Sequence, residues 1–563
     1  MNSVSMKMFL GEYQNSIKIS LEKLKKEKVV ERIWEKDFTV WSDVPDEVSN
    51  RLDWLNSPNE TSSHLDEINS FVESVKADGF THALLLGMGG SSLAPEVFRL
   101  SFGVKDGYLD LSVLDSTDPG QALNYAENLD PEKTLYIVST KSGGTIETLS
   151  FFKYFFTLCK NKLGADEVGN HFLAITDPGS KLEEMATELK FRKIFINNPN
   201  IGGRYSVLSF FGTVPAALVG VDLNRLLRSS NNIISESKNK NNVNAELGVA
   251  IGELAKHGRD KLTFVYSEKI NSFGTWVEQL IAESTGKDGV GILPIENELL
   301  ESPNYYGEDR VFVYTHFIDD NSNLNKIEDL KNSGHPIIEI VLNDEYDLGG
   351  ELFRWEFATA IAGWQLGIQP FDQPNVESAK IEAKAMINNY FEKGELPKLD
   401  LTIKENGIKL YGNSKEENLS NSINEFLDNL NYKAKYNYVS IHAYVTPTEK
   451  MTESLQVLRT KIQKKYKSAV TVGFGPRFLH STGQLHKGDA GKGLFVQFTS
   501  SILEDAGIPN EPGVNESNFT FGVLKTAQLL GDRQALLNAN RKVITIDLND
   551  NVIDNLEYIN DLI

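Results

Sequence analysis

Residues 82–102 read HALLLGMGGSSLAPEVFRLSF. A short apolar run, HALLLG, is followed by a glycine- and serine-rich loop and then by an amphipathic stretch. That order predicts a strand, a tight loop and a helix. The plan recurs twice downstream. LYIVS leads through TKSGGT into IETLSFFKYFFTLCK (135–160), and FLAIT leads through DPGSK into LEEMATELK (172–190). Strands alternating with helices argue for a parallel, doubly wound α/β sheet. On such sheets ligands bind beyond the carboxyl ends of the strands, which is where these loops lie.

Outward from this block, SSNNIISESKNKNNVNAE (229–246) reads as a connection or an exposed helix. A second α/β block follows, with KLTFVYSE, VFVYTHF and PIIEIVL as strands and GTWVEQLIAEST and LFRWEFATAIAGWQL as helices. KGELPKLDLTIKENG (393–407), with its two prolines, reads as a boundary. A third block carries YVSIHAYVT, AVTVGFG, LFVQFTS and VITIDL as strands and a helix through LQVLRTKIQKKY. The expected division is 1–235, 236–395 and 396–563. For the last stretch of the chain, core packing is the default expectation.

A chain of 563 residues with 40% apolar and 24% charged residues is an ordinary globular composition, which excludes a collagen, a coiled-coil rod and a long disordered chain. The net charge of −21 repels nucleic acid and anionic membranes, yet allows a positive pocket for a small anion. The single cysteine, Cys159, cannot form an internal disulfide and reads as a buried core thiol. The amino-terminal stretch lacks the apolar region of a signal peptide, and no apolar run reaches spanning length, so a cytoplasmic location is expected.

The loop Gly87–Ser92 suits an anion at a helix start, because glycines let the backbone approach it closely. A dinucleotide fingerprint fits less well, since Ser92 occupies the third glycine position, and a plain tight turn stays open. STKSGGTIET (139–148) offers the hydroxyls of Ser139, Thr140, Ser142, Thr145 and Thr148, together with Lys141. That is a cradle for a phosphate monoester, with simple helix capping as the alternative. GGRYS places Arg204 after two glycines, where it serves a developing oxyanion or sits in a surface turn. In WVEQLIAESTGK, Trp276, Gln279 and Glu283 share a helix face. Glu283 is a candidate base, or else a solvated helix-end carboxylate. FDQPNVESAK carries Asp372, Gln373 and Lys380 at the start of another helix. GFGPRFLHSTGQLHKGD carries Arg477, His480, Gln484, His486 and Lys487. No cysteine or carboxylate set accompanies these histidines, so no metal cofactor is expected.

Taken in order, GMGGSSLAP, STKSGGTIET, GGRYS, AESTGK and FDQPNVESAK resemble the glucose-6-phosphate isomerase (phosphoglucose isomerase) family, in its bacterial forms, over residues 30–395. The resemblance implies two sugar-isomerase (SIS) parallel-sheet sandwich domains with helices on both faces, followed here by a C-terminal α/β segment. It implies a phosphate site at Gly90, Ser91, Thr140, Lys141, Ser142 and Thr145. Arg204 falls where the family stabilises an enediolate and Glu283 where it places the proton-transfer base. Gln373 and Lys380 match the glutamine and lysine of the second signature. The family's ring-opening histidine lies between that glutamate and that lysine, where this chain has only His316 and His335 in unrelated contexts. Its H…QL…H-x-G pattern instead resembles HSTGQLHKGD, so His480 is expected to open the ring, with His335 and His486 as alternatives.

The implied reaction is reversible interconversion of glucose 6-phosphate and fructose 6-phosphate, as in glycolysis and gluconeogenesis. His480, alone or with Lys380, would open the ring, and Glu283 would carry a proton between C2 and C1 through a cis-enediolate. The partner expected is a sugar phosphate, with neither nucleic acid nor membrane, and the family implies a homodimer. Competing readings are a sugar-phosphate sensor, an isomerase for the mannose epimer, and a nicotinamide-dependent dehydrogenase. A sensor needs the phosphate loops but neither a base nor a ring-opening group.

Overall fold

The computed structural model describes residues 5–239, 242–431, 433 and 435–563. The chain enters through β1 (Ser5–Phe9) and a set of helices. The first sheet follows as β2 (His82–Gly87), β3 (Asp110–Leu114), β4 (Thr134–Ser139), β5 (Phe172–Thr176) and β6 (Lys193–Ile196). Its order is β3-β2-β4-β5-β6, every neighbour parallel. Apolar runs such as LYIVS are buried along their whole length because helices cover both faces of a parallel sheet. The helix Ile146–Leu163 buries Phe151, Phe152, Phe155, Phe156 and Cys159 against this sheet. Burial pushes the Cys159 thiol up to about 12, so it stays a neutral core group. The winding direction reverses between β2 and β4, and the loops leaving these two strands open a crevice at their carboxyl ends.

The second sheet contains β7 (Lys261–Tyr266), β8 (Leu293–Ile295), β9 (Arg310–Phe317) and β10 (Ile337–Leu342), parallel in the order β10-β9-β7-β8. β1 closes its edge, antiparallel to β10 with Ser5 opposite Val341. The amino-terminal strand therefore completes a sheet whose other strands lie more than 250 residues downstream. Helix Leu348–Leu366 is buried almost end to end beside the helices Leu223–Ser237 and Val243–Lys256. That pair of helices corrects the reading of the polar stretch 229–246 as exposed. Ser230, Ile233, Ile234 and Ser237 face inward, Asp222 and Asn242 cap the two helix starts, and residues 240 and 241 lie outside the described residues.

The carboxyl-terminal third is more than an appended segment. It is a six-stranded sheet built from β11 (Ile403–Glu405), β12 (Ile408–Tyr411), β13 (Tyr438–Tyr444), β14 (Ala469–Phe474), β15 (Gly493–Thr499) and, beyond the hairpin β16 (Gly507–Pro509) and β17 (Ser517–Thr520), β18 (Lys542–Asp547). The order β14-β13-β15-β18 repeats the winding of the other two sheets. This layer has its own apolar core, including Leu455, Ile462, Val496 and Ile546. It docks on the loop after β3 through polar contacts. Lys525 Nζ donates to Asp118 Oδ2 at 2.9 Å, Thr446 Oγ1 donates to Asp118 Oδ1 at 2.8 Å, and Arg477 lies 3.3 Å from Asp115. No helix among the described residues is long and apolar enough to cross a membrane.

Candidate active site

A cleft of about 1100 Å³ opens at the reversal between β2 and β4. Gly89–Ser91, Ser139–Ser142, Gly144–Glu147, Arg204, Gln279, Glu283, Gln373, Lys380 and His480 all line it. Loops after two strands of the first sheet, a helix of the second layer and a loop of the third thus meet in one place.

The first loop is shaped by close backbone approach. A Cβ on Gly90 would stand 2.1 Å from the carbonyl oxygen of Gly203, so the two glycine motifs pack directly on each other. Gly89 has φ +58°, and a Cβ there would meet Gln279 Nε2 at 2.9 Å and the His480 carbonyl at 3.1 Å. In the second loop Thr140 Oγ1 and Thr145 Oγ1 lie 3.3 Å apart, and Ser142 Oγ accepts from the Gly144 amide at 3.2 Å. Thr145 precedes the 18-residue helix Ile146–Leu163 without a side-chain cap, leaving first-turn amides for an anion. Lys141 lines the cleft, but its ammonium is paired with Asp177 and donates to the Pro199 carbonyl at 2.8 Å. To hold a phosphate directly it would exchange that carboxylate for the ligand. Burial raises the Asp177 carboxyl, against the lowering by Lys141.

Arg204 is buried rather than in a surface turn, and it ties three of the sequence motifs together. Its Nε donates to Ser284 Oγ at 2.8 Å. Its Nη2 donates to the carbonyls of Pro370 and Asp372 at 2.7 and 2.8 Å, and its Nη1 to Gln373 Oε1 at 3.4 Å. The same Nη1 stands 3.7 Å from Glu283 Oε1. Such a planar fork presents five donors in fixed directions, where a lysine ammonium has three on a flexible stem. Glu283 is likewise buried, not solvated, with 6% of its surface exposed. Gln279, one turn earlier on helix Phe273–Thr285, donates to Glu283 Oε2 at 3.2 Å and to the His480 carbonyl at 2.7 Å. Its Oε1 has no protein partner among the described residues. Beneath Arg204, Lys287 Nζ donates to Asp372 Oδ1 at 2.6 Å, and burial and the nearby guanidinium bring its ammonium down to about 8.

Of the three histidine candidates, only His480 lines the cleft. Its Nε2 donates to Glu147 Oε1 at 3.0 Å. Burial pushes the Glu147 carboxyl up, but His480 and the nearby Lys380 outweigh this and hold it below its ordinary value. His335 packs against the ring of Phe312 in the second layer, at 5.3 Å between centroids, and burial brings it down to about 4. His486 is buried in the third layer against Ser440 Oγ at 3.2 Å. Gln373 and Lys380 reach the cleft from its exposed rim, with Lys380 also 3.4 Å from Glu377. Sequence reasoning passed over four contributors. Glu147 lies inside the hydroxyl-rich loop, whose many hydroxyls drew the reading instead. Gln279 was legible only as a face-sharer of Glu283. Asp177 and Gln528 carry no local signal, Gln528 coming from the helix Phe521–Asn538 of the third layer.

A sequence profile for phosphoglucose isomerase matches residues 44–308. A relative named probable glucose-6-phosphate isomerase, from Methanococcus maripaludis, is 30% identical over 343 residues, covering 54% of this chain and 77% of its own. The glucose-6-phosphate isomerase of Campylobacter jejuni is 28% identical over 353 residues, covering 54% and 85%. Among solved structures, a glucose-6-phosphate isomerase from Chlamydia trachomatis superposes with a TM-score of 0.59 at 16% identity, over 70% of this chain and 90% of that one. A hypothetical protein from Thermus thermophilus reaches the same TM-score at 23% identity, over 68% and 100%. These two share the fold, and about a third of this chain lies outside each superposition. With the family profile, the curated relatives and the motif set in agreement, this chain belongs to the phosphoglucose isomerase family.

Proposed function

We propose that this chain interconverts D-glucose 6-phosphate and D-fructose 6-phosphate. The observation that carries the reading is the pairing of buried Glu283 with Arg204 at 3.7 Å, in the cleft that also holds His480. Loop 139–145 and the uncapped start of helix Ile146–Leu163 bind the phosphate, with Gly90 and Ser91 closing over it. This contact is remote from the reacting carbons and serves to orient them.

His480 moves the proton between the ring oxygen and the anomeric hydroxyl, breaking the ring C–O bond. Glu147 holds the imidazole by its Nε2 and leaves Nδ1 as the second nitrogen for this exchange. Lys380 supplies a positive charge at the rim. Glu283 then removes the C2 proton and returns it to C1. Arg204 faces the enediolate oxygens and offsets their developing charge at no reorganisation cost, because its other donors are already fixed. Gln279 Oε1, which has no protein donor among the described residues, accepts from a sugar hydroxyl. The homodimer implied by the family is not needed to furnish the histidine, since Glu283 and His480 belong to one chain.

The test is a coupled assay following glucose 6-phosphate formed from fructose 6-phosphate, with Glu283→Gln beside the parent chain. Activity lost in the variant supports the reaction and the base. Activity retained by the variant rejects Glu283, and an inactive parent chain that still binds sugar phosphate rejects the isomerase reading in favour of a sensor.

A further inference from the structure

We propose that Gln528 and Thr117 are positioning residues for His480, so that the helix Phe521–Asn538 sets which imidazole nitrogen faces the cleft. This rests on the reading of His480 as the ring-opening group. Thr117 Oγ1 donates to Gln528 Oε1 at 2.7 Å, Gln528 Nε2 donates to Glu147 Oε1 at 2.7 Å, and His480 Nε2 donates to the same oxygen at 3.0 Å. Thr117, Gln528 and Glu147 are all buried.

The chemistry of the donors allows only this arrangement. An ionised carboxylate accepts and cannot donate, so the Gln528 amide must turn its NH2 to Glu147 and its oxygen away. The oxygen then needs a donor, and the Thr117 hydroxyl is the one in place. A flipped amide would set its oxygen against the carboxylate and leave two buried acceptors facing each other. With Glu147 Oε1 pinned by the amide, the carboxylate cannot swing away from His480. The imidazole keeps its proton on Nε2, and Nδ1 is left without a protein hydrogen bond among the described residues.

The helix is gripped at a second point. Lys525, one turn before Gln528 on the same face, donates to Asp118 Oδ2 at 2.9 Å, next to Thr117. Both contacts cross from the third layer to the loop after β3, 407 and 411 residues away in sequence. The carboxyl-terminal layer therefore supplies both His480 and the amide that orients its partner.

The experiment compares Gln528→Leu, Thr117→Val and Thr117→Ser in the full-length chain. Three readouts are taken: kcat and KM for fructose 6-phosphate, affinity for the acyclic glucitol 6-phosphate, and the His480 tautomer by 15N spectra assigned with His480→Asn. In the parent chain His480 is expected to be the Nε2–H tautomer. Gln528→Leu and Thr117→Val should lower kcat about tenfold to a hundredfold with KM and glucitol 6-phosphate affinity little changed, and give a mixed tautomer signal. Thr117→Ser, which keeps the hydroxyl, should restore the rate. An Nδ1–H tautomer in the parent overturns the proposal whatever the activity. So does an unchanged kcat in Gln528→Leu, or a loss shared equally by both Thr117 variants together with lost glucitol 6-phosphate affinity. An inactive parent chain with an Nε2–H His480 that becomes mixed in Gln528→Leu rejects the isomerase reading and upholds the positioning.

Discussion

Replacing Gly90 by alanine tests whether the stacking of the two glycine motifs sets the catalytic geometry. The new Cβ would stand 2.1 Å from the Gly203 carbonyl oxygen and 2.6 Å from its carbon. A methyl group sits at ease about 3.5 Å from such atoms, so the two backbones must part by roughly 1 Å or more. Neither neighbour is a flexible side-chain tip that could swing aside. Gly203 immediately precedes Arg204, so the displacement passes to the guanidinium and to its 3.7 Å approach to Glu283. A misplacement of about 1 Å costs roughly 100-fold in rate, equivalent to about 2.7 kcal/mol of transition-state stabilisation. The overpacking itself should cost about 1–3 kcal/mol of stability. The control is Gly203→Ala on the other side of the contact, where a Cβ meets nothing within 4 Å. The coupled fructose 6-phosphate assay gives kcat/KM for both, and thermal melts show that each is folded. Gly90→Ala within twofold of the parent would refute the steric reasoning. So would an equal loss in Gly203→Ala, since then glycine at these positions matters for something other than space.

Glu283→Gln keeps the shape and removes the base, so kcat should fall by about 100-fold or more while glucitol 6-phosphate still binds, measured by the coupled assay and by calorimetry. The Glu147 carboxyl is held below its ordinary 4.5, so its contribution to stability is present above that value and is lost as pH falls through the lower folded value. Urea melts of Glu147→Gln should therefore lose less stability than the parent between pH 5 and pH 3, and equal losses would contradict this. Lys525→Met leaves the Asp118 carboxylate buried without its ammonium and should cost about 3–5 kcal/mol in denaturant melts, with Lys525→Arg intermediate. Because Glu283 and His480 lie in one chain's cleft, specific activity should stay constant on dilution to concentrations where sedimentation shows single chains. A fall in activity tracking dissociation would show that a partner completes the site.

The periodicity of the chain determined a good deal by itself. Runs such as HALLLG and LYIVS, each followed by a loop and an amphipathic stretch, read as strands of a parallel sheet, and the glycine and hydroxyl loops after them fall at the carboxyl ends of those strands. Glu283, Arg204 and the two loops were therefore nameable as candidates from local pattern, because each motif is a short stretch whose chemistry is in its own residues. Burial was not nameable. Arg204 and Glu283 each had a solvated reading, and only the convergence of Pro370, Asp372 and Ser284 on one guanidinium removes it. SSNNIISESKNKNNVNAE was read as a connection or an exposed helix, and its burial was missed because the few apolar positions, Ile233 and Ile234, are outnumbered by polar residues, of which Ser230 and Ser237 also turn inward. What tertiary structure alone decided is the long-range pairing: β1 beside β10, Gln528 against Thr117 and Glu147, and His480 across from the first sheet. Such contacts join residues hundreds of positions apart, and a buried hydrogen bond is specified by both partners together. Neither partner's own stretch of sequence carries it.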